Sequence, residues 1–152
     1  MSNGLPIITK ILNGFELAIN TIEEINQVIV YPSNDIDRET AVFPITFIFE
    51  VPLSWAGRNQ LEHNTSTMVI ETWYENTEGE ESNFLEGKLL ESLIHRAIFG
   101  ECGRIGLIGQ YIENIKKIPP EYSFADDVLS AVVQRYEVAY LTLYGDPFKK
   151  NP

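Results

Sequence analysis

The sequence predicts an α+β fold: an antiparallel or mixed β-sheet with two main helices packed on one face, in the order αβββαββ. Three observations carry this. Apolar residues recur at three and four over residues 5–22 and again over 83–100, the helical period. Runs of β-branched and aromatic residues occupy 27–31, 43–51, 66–74 and 128–144, and turn-forming clusters separate them. With 152 residues and 44% apolar content, the chain has enough material for a single core, so residues 1–152 read as one domain.

The first helix places Ile8, Ile11, Leu12, Phe15, Ala18, Ile19 and Ile22 on one stripe, with Lys10, Asn13, Glu16 and Asn20 opposite. Residues 27–31 form a short strand that stops at Pro32-Ser33-Asn34-Asp35, and an acidic loop follows through Asp37 and Glu39. Residues 43–51 are almost continuously apolar, which predicts a strand buried on both faces. Residues 52–64 show little periodicity and read as a loop, before residues 66–74 alternate as a third strand. Residues 75–82 read as a solvated acidic loop.

Asn83 and Glu86 form a capping pair for the second helix. Its wide stripe holds Leu85, Leu89, Leu93 and Ala97 beside Leu90, Ile94 and Ile98; Glu91, His95 and Arg96 fall on the polar face, and Gly100 ends it. Residues 104–118 are ambiguous: Leu107, Ile108, Tyr111, Ile112 and Ile115 fit a helix, but Gly106 and Gly109 weaken one and favour a glycine-bent strand, closed by Pro119-Pro120; residues 128–144 form the strongest strand of all. The tail, residues 145–152, is expected to be mobile.

Acidity narrows the function. There are 22 Asp and Glu against 11 Lys and Arg, a formal net charge of -11. Such a surface repels phosphate backbones, so sequence-specific nucleic-acid binding is disfavoured. The single cysteine, Cys102, allows no internal disulfide and fits a reducing compartment. The longest charge-free runs, 25–34 and 40–49, are ten residues each, too short to span a bilayer as helices, and Lys10 and Glu16 interrupt the opening apolar stretch as no signal peptide would.

Catalytic chemistry has little to draw on. His95 lies four residues after Glu91, the spacing of an exposed ion pair; His63 sits in the polar loop; Cys102 has Glu101 beside it, which opposes thiolate formation. No Cys-x-x-Cys or His-x-x-x-His pair nucleates a metal site. Gly100, Gly103, Gly106 and Gly109 follow a helix instead of opening one, unlike a phosphate cradle. No catalytic residue, cofactor or metal is expected. An interaction protein remains, with Trp55 and Arg58 as anchors of an interface.

Four stretches together resemble bacteriophage tail terminator proteins of the neck and tail. These are the opening helix with Val28-Ile29-Val30-Tyr31-Pro32, the strand Phe43-Pro44-Ile45-Thr46-Phe47-Ile48, the helix end Leu93-Ile94-His95-Arg96-Ala97-Ile98-Phe99-Gly100, and the closing stretch from Arg135 through Tyr140 to Asp146-Pro147-Phe148. The resemblance implies a virion protein, made in the host cytoplasm, that closes into a hexameric ring. Its partners would be further copies of itself, the tail tube protein on which it halts growth, and the head-closure protein of the neck, with DNA passing the lumen unbound and no membrane involved. It brings no catalytic residues. In such a ring, Trp55, Arg58, Tyr140, Asp146 and Phe148 are candidates for subunit contacts, and Glu75, Glu78, Glu80 and Glu81, or Asp35, Asp37 and Glu39, for the channel wall. The alternatives are another neck connector, such as a head- or tail-completion protein, and an acidic inhibitor that mimics DNA.

Overall fold

The computed structural model describes residues 4–30, 41–76, 79–99, 111–124 and 128–149. Its elements are α1 (Ile7–Ile19), β1 (Gln27–Val30), β2 (Ile45–Arg58), β3 (Leu61–Glu75), α2 (Glu80–Phe99), β4 (Asn114–Ser123) and β5 (Leu129–Leu143). The order is the expected αβββαββ. The strands form one five-stranded sheet in the order β1-β2-β3-β5-β4. β1 runs parallel to β2 and every other pair is antiparallel, so the sheet is mixed.

Both helices lie on one face of the sheet and touch each other. That face is built by even-numbered strand residues: Ile48 pairs with Ile70 and Ile70 with Gln134, while Thr46 pairs with Thr72 and Thr72 with Val132. All six are fully buried. The two threonines hydroxyl-bond each other at 2.9 Å, which makes the row tolerable to a core. Ile7, Ile11, Leu12, Phe15 and Ile19 of α1 and Leu90, Ile94 and Ile98 of α2 close over this face with Met68, Tyr136 and Val138. Each such aliphatic side chain contributes about 2 kcal/mol by leaving water. Odd-numbered Ile45 and Phe47 are buried as well, as their continuous apolar run predicts.

Element ends differ from the sequence reading for identifiable reasons. α1 stops at Ile19, and the apolar period carries on through a turn in which the Ile22 N–H bonds the Ile19 carbonyl and the Thr21 hydroxyl bonds that of Ala18. α2 begins at Glu80, a turn before the expected Asn83. Glu80 and Glu81 therefore lie in its first turn, where the helix dipole favours carboxylates, and Asn83 is inside the helix and buried, its carbonyl taking the Tyr74 hydroxyl at 2.8 Å. Only part of the wide stripe is used: Leu90, Ile94 and Ile98 enter the core, whereas Leu85 and Leu89 stay 59% and 49% exposed. Glu91 occupies the buried side in their place.

The largest correction concerns residues 52–64. They are not a loop but the outer half of a long β2–β3 hairpin, turned at Asn59 and Gln60, whose φ angles of 52° and 65° fit a two-residue primed turn. A register irregularity falls between Pro52 and Ser54. Pro119 and Pro120 do not end the fourth strand; they lie inside β4, an edge strand, at a break in register between Ile118 and Glu121, where a missing N–H costs little. Gly100, Cys102 and the glycine series through Gly109 lie outside the described residues.

Candidate interaction surfaces

β1 pairs with β2 only from Ile45 to Ile48, so the outer edge of β2 is unpaired beyond that point among the described residues. Residues 51–58 are all exposed, eight in succession. Within them Trp55 is 63%, Leu53 51% and Val51 42% exposed. A half-strand lacking cover on either face has no reason to alternate apolar and polar residues, which is why its periodicity looks like a loop. We call residues 51–58, with the β3 segment they pair to, the arm.

The five residues expected at an interface converge on this end of the sheet. Trp55 pairs with Asn64 and Asn64 with Tyr140, so the indole and the phenol share one row across three strands; Tyr140 is half-buried against the core. Shallow space of about 180 Å³ opens between Pro52, Leu53, Trp55, Asn64 and Tyr140. Arg58 closes β2 opposite Leu61, and Leu61 pairs with Leu143, which bridges to Asp146.

Where the sequence predicts a mobile tail, residues 145–149 are instead tied to the fold. The Gly145 N–H donates to the Glu62 carboxylate at 3.1 Å, the Leu143 N–H to the Lys149 carbonyl at 3.0 Å, and the Ile7 N–H to the Pro147 carbonyl at 2.9 Å. The last of these satisfies the first free N–H of α1, whose N-cap is a proline without a capping side chain. Asp146 accepts the Phe148 N–H at 3.1 Å, and the Phe148 ring stays 45% exposed. Tyr144 lies along the arm, where a Cβ added to Gly57 would meet its ring at 2.5 Å.

The acidic candidates sit at the other end. Glu75 closes β3 opposite Leu129, and Glu80 and Glu81 open α2; all three are exposed, and Glu78 lies outside the described residues, as do Asp35, Asp37 and Glu39. β3 runs fifteen residues from Leu61 to Glu75, a span of roughly 50 Å at strand rise. Interface and acidic candidates thus occupy opposite poles of the sheet.

Between the poles lies a charged cluster that sequence reasoning missed. Glu91, 2% exposed, pairs with Lys117 of β4 and with Lys88 at 3.6 Å. Burial by itself would raise its pKa, but the two ammonium groups overcome that and hold the carboxyl below its usual value. Gln134 donates to the Glu91 carbonyl at 3.1 Å. His95 is not in the exposed ion pair expected with Glu91: its Nδ1 lies 3.1 Å from the Tyr136 hydroxyl and its ring packs on Phe99 and Tyr136. Burial and then Lys117 push its pKa down. The Tyr136 hydroxyl is pushed up, first by burial and then by the Glu91 charge. Glu91 falls beside Gly87 and Ile98 at the edge of the buried stripe on the helical wheel, a signal of burial present in the sequence; its partner Lys117 gives none, because residues 104–118 fit both a helix and a strand. His63 is exposed on β3 opposite Ala56.

Lys88, Glu91, Ser92, His95, Arg96, Phe99 and Lys117 line an open groove of about 500 Å³ beside α2. Among the described residues no three of His, Cys, Asp and Glu gather as metal ligands, and no helix is long and apolar enough to cross a membrane. No known protein-family model matches the chain, and no curated protein matches it.

Proposed function

We propose that this protein is a structural component of a phage virion, a tail terminator that closes into a ring on the end of the tail tube, stops its growth and joins it to the neck. The observation that carries the reading is the arm. Eight consecutive strand residues, Trp55 among them, extend beyond the cover of either helix, and their exposure contributes nothing to the core. Exposed aromatic side chains on a rigid element suit binding a protein surface, with Trp and Arg the usual anchors. Ring closure needs two different patches on each copy, and a projecting arm is well shaped to be one of them. The acidic pole, set far from the arm, suits a channel wall past which DNA moves without sticking.

The test is addition of the purified protein to growing tail tubes. The reading expects tubes of fixed length with a ring at one end by negative-stain imaging, and reversal of Glu75, Glu80 and Glu81 to lysine is expected to slow genome delivery. Tubes that grow on unchanged at saturating protein overturn it.

A further inference from the structure

Resting on the ring reading, we infer that neighbouring copies join edge to edge: the outer edge of β2 beyond β1 on one copy pairs antiparallel with the outer edge of β4 on the next. These edges lie on opposite margins of the sheet, and among the described residues neither has a further strand beside it. Their directions fit a ring. β1 and β2 run one way, and β4, antiparallel to β5, runs the other. Rotation about an axis along the strands preserves both directions, so each β4 meets the β2 of the next copy as an antiparallel partner.

The margins also match in height and shape. Cross-strand rows lead from Ser54 through Thr65 and Ala139 to Asn114, and from Phe49 through Val69 and Arg135 to Ile118. Residues 49–54 and 114–118 therefore stand at one level on the two sides of the sheet. β1 ends at Val30, opposite Ile48, and beyond it the margin steps inward by one strand spacing, about 4.8 Å. A strand laid along such a margin has to break at that level. β4 does so: its register shifts between Ile118 and Glu121, whose rows lead to Phe49 and Phe47, so Pro119 and Pro120 stand at the height of Ile48. The prolines, with no N–H to offer, fall at the step, and the proline-free half of β4 is level with the open part of β2. Glu50 marks the same place. It lies just past the end of β1, and its buried Oε2 has no hydrogen-bond partner, a vacancy that a donor on an incoming strand would fill. Main-chain hydrogen bonds carry a contact of this kind, so it asks for no opposite charge between two acidic copies. The two edges are different patches, and the pairing is head-to-tail.

The experiment uses full-length chains in a Cys102→Ser background, one carrying Ser54→Cys and the other Asn114→Cys, mildly oxidised under conditions where light scattering shows assembly. Both positions are exposed, and within one copy they lie three strand spacings apart, about 14 Å, too far for a disulfide in a single chain. The expected result is a covalent pair in the mixture and none in either variant alone. In the wild type, amide exchange of residues 49–54 and 114–118 is expected to slow about tenfold on assembly. Assembly without the mixed cross-link, unchanged exchange at 114–118, or cross-linking of Ser54→Cys chains to one another each overturns the edge contact and leaves the ring standing. Absence of any assembly, alone or on tubes, overturns both.

Discussion

One strand, β2, is two different materials. Residues 45–48 are buried on both faces, lie between β1 and β3, and carry only Ile, Thr and Phe. Residues 51–58 have no partner on their outer edge among the described residues, and their composition, with Pro52, Ser54 and Gly57 beside Leu53 and Trp55, is what an unsupported ribbon tolerates. The bulge after Pro52 and the proline itself blunt the open edge against indiscriminate strand pairing. The inner half thus specifies the fold, while the outer half spends apolar surface where it cannot stabilise the monomer. Under the proposed function, such exposure serves a partner.

Variants should separate the two halves by size of effect. The greatest loss is expected at the covered end, from Lys117→Ala, which leaves Glu91 buried with only Lys88 nearby; about 3 kcal/mol should disappear in urea unfolding. The double change Glu91→Gln with Lys117→Met should recover most of it. Gly87→Ala comes next. An alanine normally gains helix stability over glycine, yet here its Cβ would sit 2.5 Å from the Tyr74 hydroxyl and 3.2 Å from the Tyr122 ring, and about 1–3 kcal/mol of overpacking should prevail.

Acidification should weaken the covered end. Glu91 and His95 both titrate below their usual values in the fold, so the stability each contributes is present at neutral pH and lost as pH falls through its folded pKa. The melting temperature should fall between pH 7 and about pH 5, and His95→Gln should flatten the upper part of that decline, above the carboxylate range. A smaller gain is expected at the arm's tip, where Gln60 holds a left-handed φ of 65°; Gln60→Gly should stabilise the hairpin by about 1 kcal/mol, read by hydrogen exchange of residues 54–65.

How much was legible in the sequence follows the same division. The helices, the short parallel strand and the long last strand are visible because their residues obey a period that burial imposes. The arm is invisible because nothing buries it, and its turn, Asn59-Gln60, lacks the glycine that marks such turns. The type of Trp55 alone makes it a candidate anchor, but its place on a strand beside Tyr140 is not legible from local pattern. Glu91 was assigned to solvent because a carboxylate is usually there, and its burial depends on Lys117, a partner 26 residues away in sequence. The ordered turn after Gly145 was missed for a related reason: its hydrogen bonds run to Glu62 and Ile7, which no local pattern reveals.

The central claim is that the arm serves a partner and not the fold. It is tested most directly by measuring thermal unfolding and light scattering on the same samples of wild type and of Leu53→Ala with Trp55→Ala. The account predicts unfolding free energies within about 0.5 kcal/mol of each other, as for exposed positions generally, with assembly present in the wild type and lost in the variant. A variant that unfolds several kcal/mol more easily while its assembly is unchanged would contradict it.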